Sequence, residues 1–239
     1  MKNIYRRRAW IIAFMIMLLF IPVTVVASSL ELTLPNTSVS GWAYSTQPGH
    51  MGTKNTTYSY ESADIKGIYE NYVLGGIALW GTNISMTYTP TQAAATGLFG
   101  VTDGAVDYTA TTFVSGVGSN GHRTKYSINI SSVNFNSSSN AGRYRTIAHE
   151  IGHAYGLGHV ANSGQIMYGT YSTTKNVTTQ DLWGMKVVTH VHMHSTSTTG
   201  TYSEYSHAYH KVVCSSCKGI YLQTHTFSGG VCSKCGFVP

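Results

Sequence analysis

The chain has 239 residues, of which 42% are hydrophobic, 12% aromatic and only 10% charged. At roughly 100–200 residues per domain there is room for one good-sized domain and a smaller appendage, and the composition excludes a mostly disordered chain. The formal charge is +6, but Lys2, Arg6, Arg7 and Arg8 supply four of the fifteen positive residues; without the first 27 residues, eleven positives face nine negatives, a balance near +2. That balance leaves no electrostatic footprint for nucleic acid.

Residues 1–27 read as a secretory signal peptide. The positive residues are followed by an apolar run from Ala9 to Ile21, a break at Pro22, and small residues ending at Ala27. The chain is therefore expected to be secreted, with no stable membrane insertion after cleavage. An uncleaved anchor is the competing reading, because extended to Ala27 the run has nineteen residues, near the ~20 that span a bilayer.

Residues 28–188 read as one α+β domain. Ile65, Ile68, Tyr69, Tyr72 and Val73 recur at helical spacing within 61–80. Strands are expected at 84–88, 98–101 and 108–114, and at Tyr126, Ile128 and Ile130, which alternate with polar residues. The apolar phase shifts at Val133 and Phe135, which suggests a bulge or a strand end, and 134–140 reads as a polar loop. Residues 141–156 turn helical again. Thr178 to Asp181 precede Leu182, Trp183, Met185 and Val187 as a capped final helix. Residues 189–205 read as a polar Ser/Thr/His linker, whose histidines are more simply solvated than metal-scavenging. Residues 206–239 hold all four cysteines and read as a second unit.

The chemistry is concentrated at His149-Glu150-Ile151-Gly152-His153-Ala154-Tyr155-Gly156-Leu157-Gly158-His159. On a helix, His149 and His153 lie four apart on one face and can present two imidazoles to one metal ion. Glu150, next to the first ligand, can reach water at the metal without entering the ligand set. Gly156 permits a sharp turn that returns His159 as a third ligand. Three imidazoles leave one position of Zn²⁺ for water, whose pKa the metal lowers while it polarises a substrate carbonyl.

With these residues the chain resembles the metzincin metallopeptidases. Ser163-Gly164-Gln165-Ile166-Met167-Tyr168 is similar to their Met-turn, with Met167 beneath the metal, and Thr179-Gln180-Asp181-Leu182-Trp183-Gly184-Met185 is similar to the last catalytic-domain helix of the matrixin branch. The resemblance implies catalytic zinc on His149, His153 and His159, and Glu150 as general base and then proton donor. It implies a twisted mixed sheet, an active-site helix, a small subdomain after His159, and an edge strand within 107–115 that pairs with substrate. Tyr168 is a candidate pocket residue, though a packed ring is the simpler reading. The chain departs from the branch at Val160, where Ser is usual, and at Asn162, where an acidic residue is expected. Asp103, Asp107 and His122 form no convincing ligand pattern and read as turn and surface residues. No cysteine precedes Cys214, so the cysteine-switch form of latency is not expected.

Cys214-Ser215-Ser216-Cys217 and Cys232-Ser233-Lys234-Cys235 form CxxC pairs fourteen residues apart. They resemble a zinc-ribbon-like module in which four thiolates hold a second, structural Zn²⁺, a reading favoured over disulfides despite secretion. His210 and His225 flank them and read as exposed polar residues rather than ligands. The functional expectation is a secreted zinc endopeptidase acting on protein or peptide. The alternatives are a non-catalytic surface binding protein that docks a partner through 206–239, and an enzyme tethered to a cell wall or surface partner by that module.

Overall fold

The computed structural model describes residues 41–104, 106–170, 175–192 and 199–239. The segment read as a signal peptide lies outside them. Among the described residues no helix is long and apolar enough to cross a membrane.

The first part of the chain builds β1 (Asn55–Tyr60), α1 (Ala63–Leu79), β2 (Ser85–Tyr88), β3 (Gly97–Thr102), β4 (Ala110–Val117), β5 (Arg123–Ser131), α2 (Ser132–Asn136), α3 (Asn140–Tyr155) and α4 (Thr179–Val188). The strands form one mixed sheet in the order β2-β1-β3-β5-β4. All pairs are parallel except β4 with β5, so β4 is an antiparallel edge strand. A mixed sheet with several helices fits the expected α+β, matrixin-like architecture.

Local chemistry accounts for most of the boundaries. Ser62 starts α1 by accepting the Ile65 N–H, at 3.2 Å, a cap worth ~1 kcal/mol. Tyr69 and Val73 turn inward as the periodicity requires, but Ile68 is exposed. In β5 the buried hydrophobic residues are Tyr126, Ile128 and Ile130, as the alternation predicts. The phase shift after them is a strand end. Ser131 Oγ accepts from Asn134 N at 3.2 Å and starts the short helix α2, which buries Phe135 and exposes Val133. Residues 132–136 are therefore helical where a loop was expected from 134 onward. Thr178 and Asp181 form the capping box of α4.

Arg123 ties the front of this domain together. Its side chain is 3% exposed. It donates to the carbonyls of Gln47 (3.0 Å), Pro48 (3.0 Å) and Ala154 (3.1 Å), and to that of His153. The last two belong to the final turn of α3, where carbonyls lack helical partners and the helix dipole favours a cation. Burial lowers the guanidinium pKa to about 10, so it stays charged at neutral pH.

The second part comprises a three-stranded antiparallel sheet, β6 (Gly200–Glu204), β7 (Tyr209–Cys214) and β8 (Ile220–Thr224), and a small hairpin, β9 (Phe227–Ser228) with β10 (Val231–Cys232). β6 lies inside the stretch read as a linker. Val212, Cys214, Cys217 and Tyr221 join the same apolar cluster as the first part, and Trp42 Nε1 donates to Cys217 O at 3.0 Å.

Arg123→Met is expected to cost roughly 3 kcal/mol of stability, because at least two charge-assisted bonds to buried carbonyls are lost. The midpoint of urea unfolding measures this. A loss below ~1 kcal/mol would mean that water serves those carbonyls equally well.

Candidate active site

Ser139 caps α3 by accepting from Gly142 N at 3.2 Å, and the helix carries His149, Glu150 and His153 into the core. Gly156 ends it with φ +119°, and a Cβ there would lie 2.8 Å from His50 Cβ. The turn brings His159 back: its Nε2 lies 3.3 Å from His149 Nε2 and 3.0 Å from His153 Nε2. The three histidines read from the motif therefore meet at one point.

The backbone fixes which ring nitrogens face that point. A carbonyl only accepts, so His149 Nδ1–H donates to Ile166 O at 2.6 Å and His153 Nδ1–H donates to Leu157 O at 2.8 Å. Both Nε2 lone pairs are then left facing His159, the tautomer a metal ligand needs. Burial lowers the pKa of all three rings, His149 well below its usual value and His153 to about 4, so the donors are neutral. The Met-turn lies beneath. Met167 is buried, and its sulfur packs where a side chain at Gly152 would stand.

Glu150 is 6% exposed. Thr112 Oγ1, from the edge strand β4, donates to its Oε2 at 2.7 Å. Burial pushes this carboxyl up to about 7, while the Thr112 hydrogen bond and the charge of Lys175 pull it down. Thr112 and Lys175 had no signal in the sequence, since both reach the site through long-range packing. Lys175 is 5% exposed and donates to Tyr168 O at 3.4 Å. Burial lowers its pKa and Glu150 opposes that. Among the described residues the only ion pair is Lys66 with Glu70, so no carboxylate oxygen lies within 4.0 Å of the Lys175 ammonium.

These groups line a cavity of about 550 Å³. One wall is residues 43–47, another is residues 107–112 at the start of β4, and Gly169 and Lys175 close it beyond the histidines. Tyr168 is not among the described lining residues. Part of the β4 edge is already occupied: Gln47 Nε2 donates to Thr112 O at 2.6 Å, and Val114 N donates to Gln47 Oε1 at 2.9 Å. Of the departures from the matrixin pattern, Val160 is buried and donates its N–H to Met167 O, while Asn162 Oδ1 accepts from Gly164 N.

The cysteines do not gather as expected. None is disulfide-bonded. Cys214 and Cys217 meet His192, whereas Cys232 and Cys235 meet His210 and His225. The single four-cysteine site expected from spacing is thus replaced by two mixed groups. His210 is buried, which corrects its reading as an exposed residue. His122 also meets His50 and His190. There Asn120 Nδ2 donates to His122 Nδ1 at 3.0 Å, which places that ring's proton on Nε2, and His50 Nε2 lies 2.8 Å from His190 Nε2.

Gly152→Ala tests the packing beneath the histidines. In an ordinary helix this change gains up to ~1 kcal/mol. Here the added Cβ meets Met167 Sδ and comes 3.1 Å from Trp80 Cζ2, so a net loss of roughly 1–3 kcal/mol is expected. Thermal unfolding of the metal-loaded protein reads the sign.

No curated protein matches the chain. Residues 80–188 match the model of the matrixin family, Peptidase_M10. The match contains His149, Glu150, His153, His159 and Met167, so this stretch is matrixin-like and of the metallopeptidase type.

Proposed function

We propose that the chain is a secreted zinc-dependent endopeptidase that hydrolyses extended protein or peptide segments. The observation that carries this reading is the convergence of three neutral imidazoles beside a buried glutamate in an open cavity. The donor set fits zinc. His149, His153 and His159 offer three nitrogens, and no fourth Cys, His or carboxylate joins them among the described residues, the pattern of a catalytic rather than a closed structural site. Zinc held there would lower the pKa of water and polarise the scissile carbonyl.

The chain's own residues do the rest. Glu150 takes the proton from the attacking water and delivers it to the leaving amine. Thr112 holds the Glu150 carboxylate in place through its hydroxyl. Gln47 occupies the outer edge of β4 at Thr112 and Val114. Strand alternation turns Ala110 toward the same edge, so substrate backbone pairs there, by strand addition. Lys175 is the only lysine or arginine among the described residues of the cavity lining, and it lacks a carboxylate partner. It selects substrates with an acidic side chain near the cleaved bond. A pure binding protein would have no use for Glu150, buried beside the three rings.

The decisive experiment is cleavage of an unfolded protein by the mature chain, alone, with a zinc chelator, and as Glu150→Gln. Activity is expected to vanish in both controls, with zinc content retained in Glu150→Gln. Activity that survives the substitution would overturn the mechanism. Lys175→Met is expected to lower kcat/KM for peptides with Asp or Glu near the cleaved bond by roughly tenfold or more, the worth of one charge-assisted hydrogen bond. Neutral peptides should change little, and an equal loss on both would overturn the role given to Lys175.

A further inference from the structure

The C-terminal part holds four thiols in a fold with little core of its own, and the arrangement around them is specific. His210, Val212 and Cys214 alternate onto the buried face of β7. At ~3.3 Å per residue, His210 and Cys214 are about 13 Å apart along the strand, too far to share one ion. Each end has its own partners.

At the His210 end, four ligand atoms lie within 4.8 Å of one another. Cys232 Sγ is 3.6 Å from His210 Nδ1, and Cys235 Sγ is 3.4 Å from His225 Nδ1. Zn–S bonds of ~2.3 Å and Zn–N bonds of ~2.1 Å at a tetrahedral angle place S and N about 3.6 Å apart. The far ring nitrogens agree. His225 Nε2–H donates to Ser206 O at 2.9 Å, and His210 Nε2–H donates to Gln223 Oε1 at 3.1 Å. Both Nδ1 lone pairs therefore face the thiols, each ring held by a second-shell acceptor as metal-ligating histidines usually are. An S–H···N hydrogen bond would account for either contact alone, but not for two such pairs converging on one point.

At the Cys214 end, His192 Nε2 is 3.4 Å from Cys214 Sγ, and Cys217 completes the group. Gly219 N donates to Cys217 Sγ at 3.3 Å. His192 lies four residues beyond the end of α4 and packs edge-on against Trp183 of that helix.

We propose that the four cysteines serve two soft divalent ions of the zinc class rather than one. His210, His225, Cys232 and Cys235 form a complete four-ligand site that folds the C-terminal hairpin onto β7. Cys214 and Cys217 with His192 form a clasp that fastens the C-terminal part to the end of α4. This assignment does not depend on peptidase activity.

The test uses the full mature chain loaded with ¹¹³Cd, with zinc content measured in parallel. Two resonances from two-thiolate sites are expected beside that of the three-histidine site, and zinc content should be three per chain, one ion per site. His225→Ala is expected to abolish one thiolate resonance and His192→Ala the other, each with the loss of one equivalent of zinc. A single four-thiolate resonance, or disulfides within the CxxC pairs in place of bound metal, would overturn the proposal, and both are read on the wild type. A variant that folds and keeps full metal content would overturn the site it was meant to remove.

Discussion

One buried cation holds the catalytic half in register. Arg123 sits at the start of β5 and reaches both the last turn of α3 and the segment that runs past it. Unpaired carbonyls at a buried helix end cost ~1–3 kcal/mol each. A guanidinium answers several of them with one planar group. His153 lies in that same turn, and the 43–47 wall of the cavity is anchored through Gln47. The position of His153 and the position of a cavity wall therefore depend on the same side chain.

The histidines are prepared by backbone rather than by other side chains. Ile166 O and Leu157 O each take one ring proton. Both carbonyls come from the chain just beyond α3, where Gly156 redirects it and Met167 returns beneath it. The orientation of the His149 and His153 rings is thus written into the path of the turn. Glu150 differs, because its orientation comes from Thr112 across the interface between helix and edge strand. The cavity is sealed on that side by the same strand that supplies its outer pairing groups.

The parts legible in the sequence are those whose geometry is local. Helical spacing brings His149 to His153, a glycine permits the return of His159, and the Thr178–Asp181 box announces α4. Thr112 and Lys175 were silent, because threonine on a strand and a lysine in a loop carry no spacing signal. The grouping of the cysteines is silent for the same reason. CxxC pairs are local, but the span of β7 from His210 to Cys214 keeps the two pairs apart, and the CxxC spacing carries no signal of which histidine meets which pair. The 134–136 end of the short helix reads as a loop because Asn and Ser serve loops and caps alike, and only the hydroxyl of Ser131 at its entrance decides between them.

Trp42 gives the architecture its last consequence. Its indole is buried, its N–H ends on the carbonyl of Cys217, and the next residues along the chain, Ala43 and Tyr44, are part of the cavity wall. The C-terminal part is therefore not cargo hung on an independent enzyme. Clipping it off removes the carbonyl that Trp42 donates to and uncovers the indole beside the cleft, so a change at this boundary would reach the cavity wall as well as the appendage. The contact surface behind Trp42 therefore belongs to the cavity wall as much as to the C-terminal part.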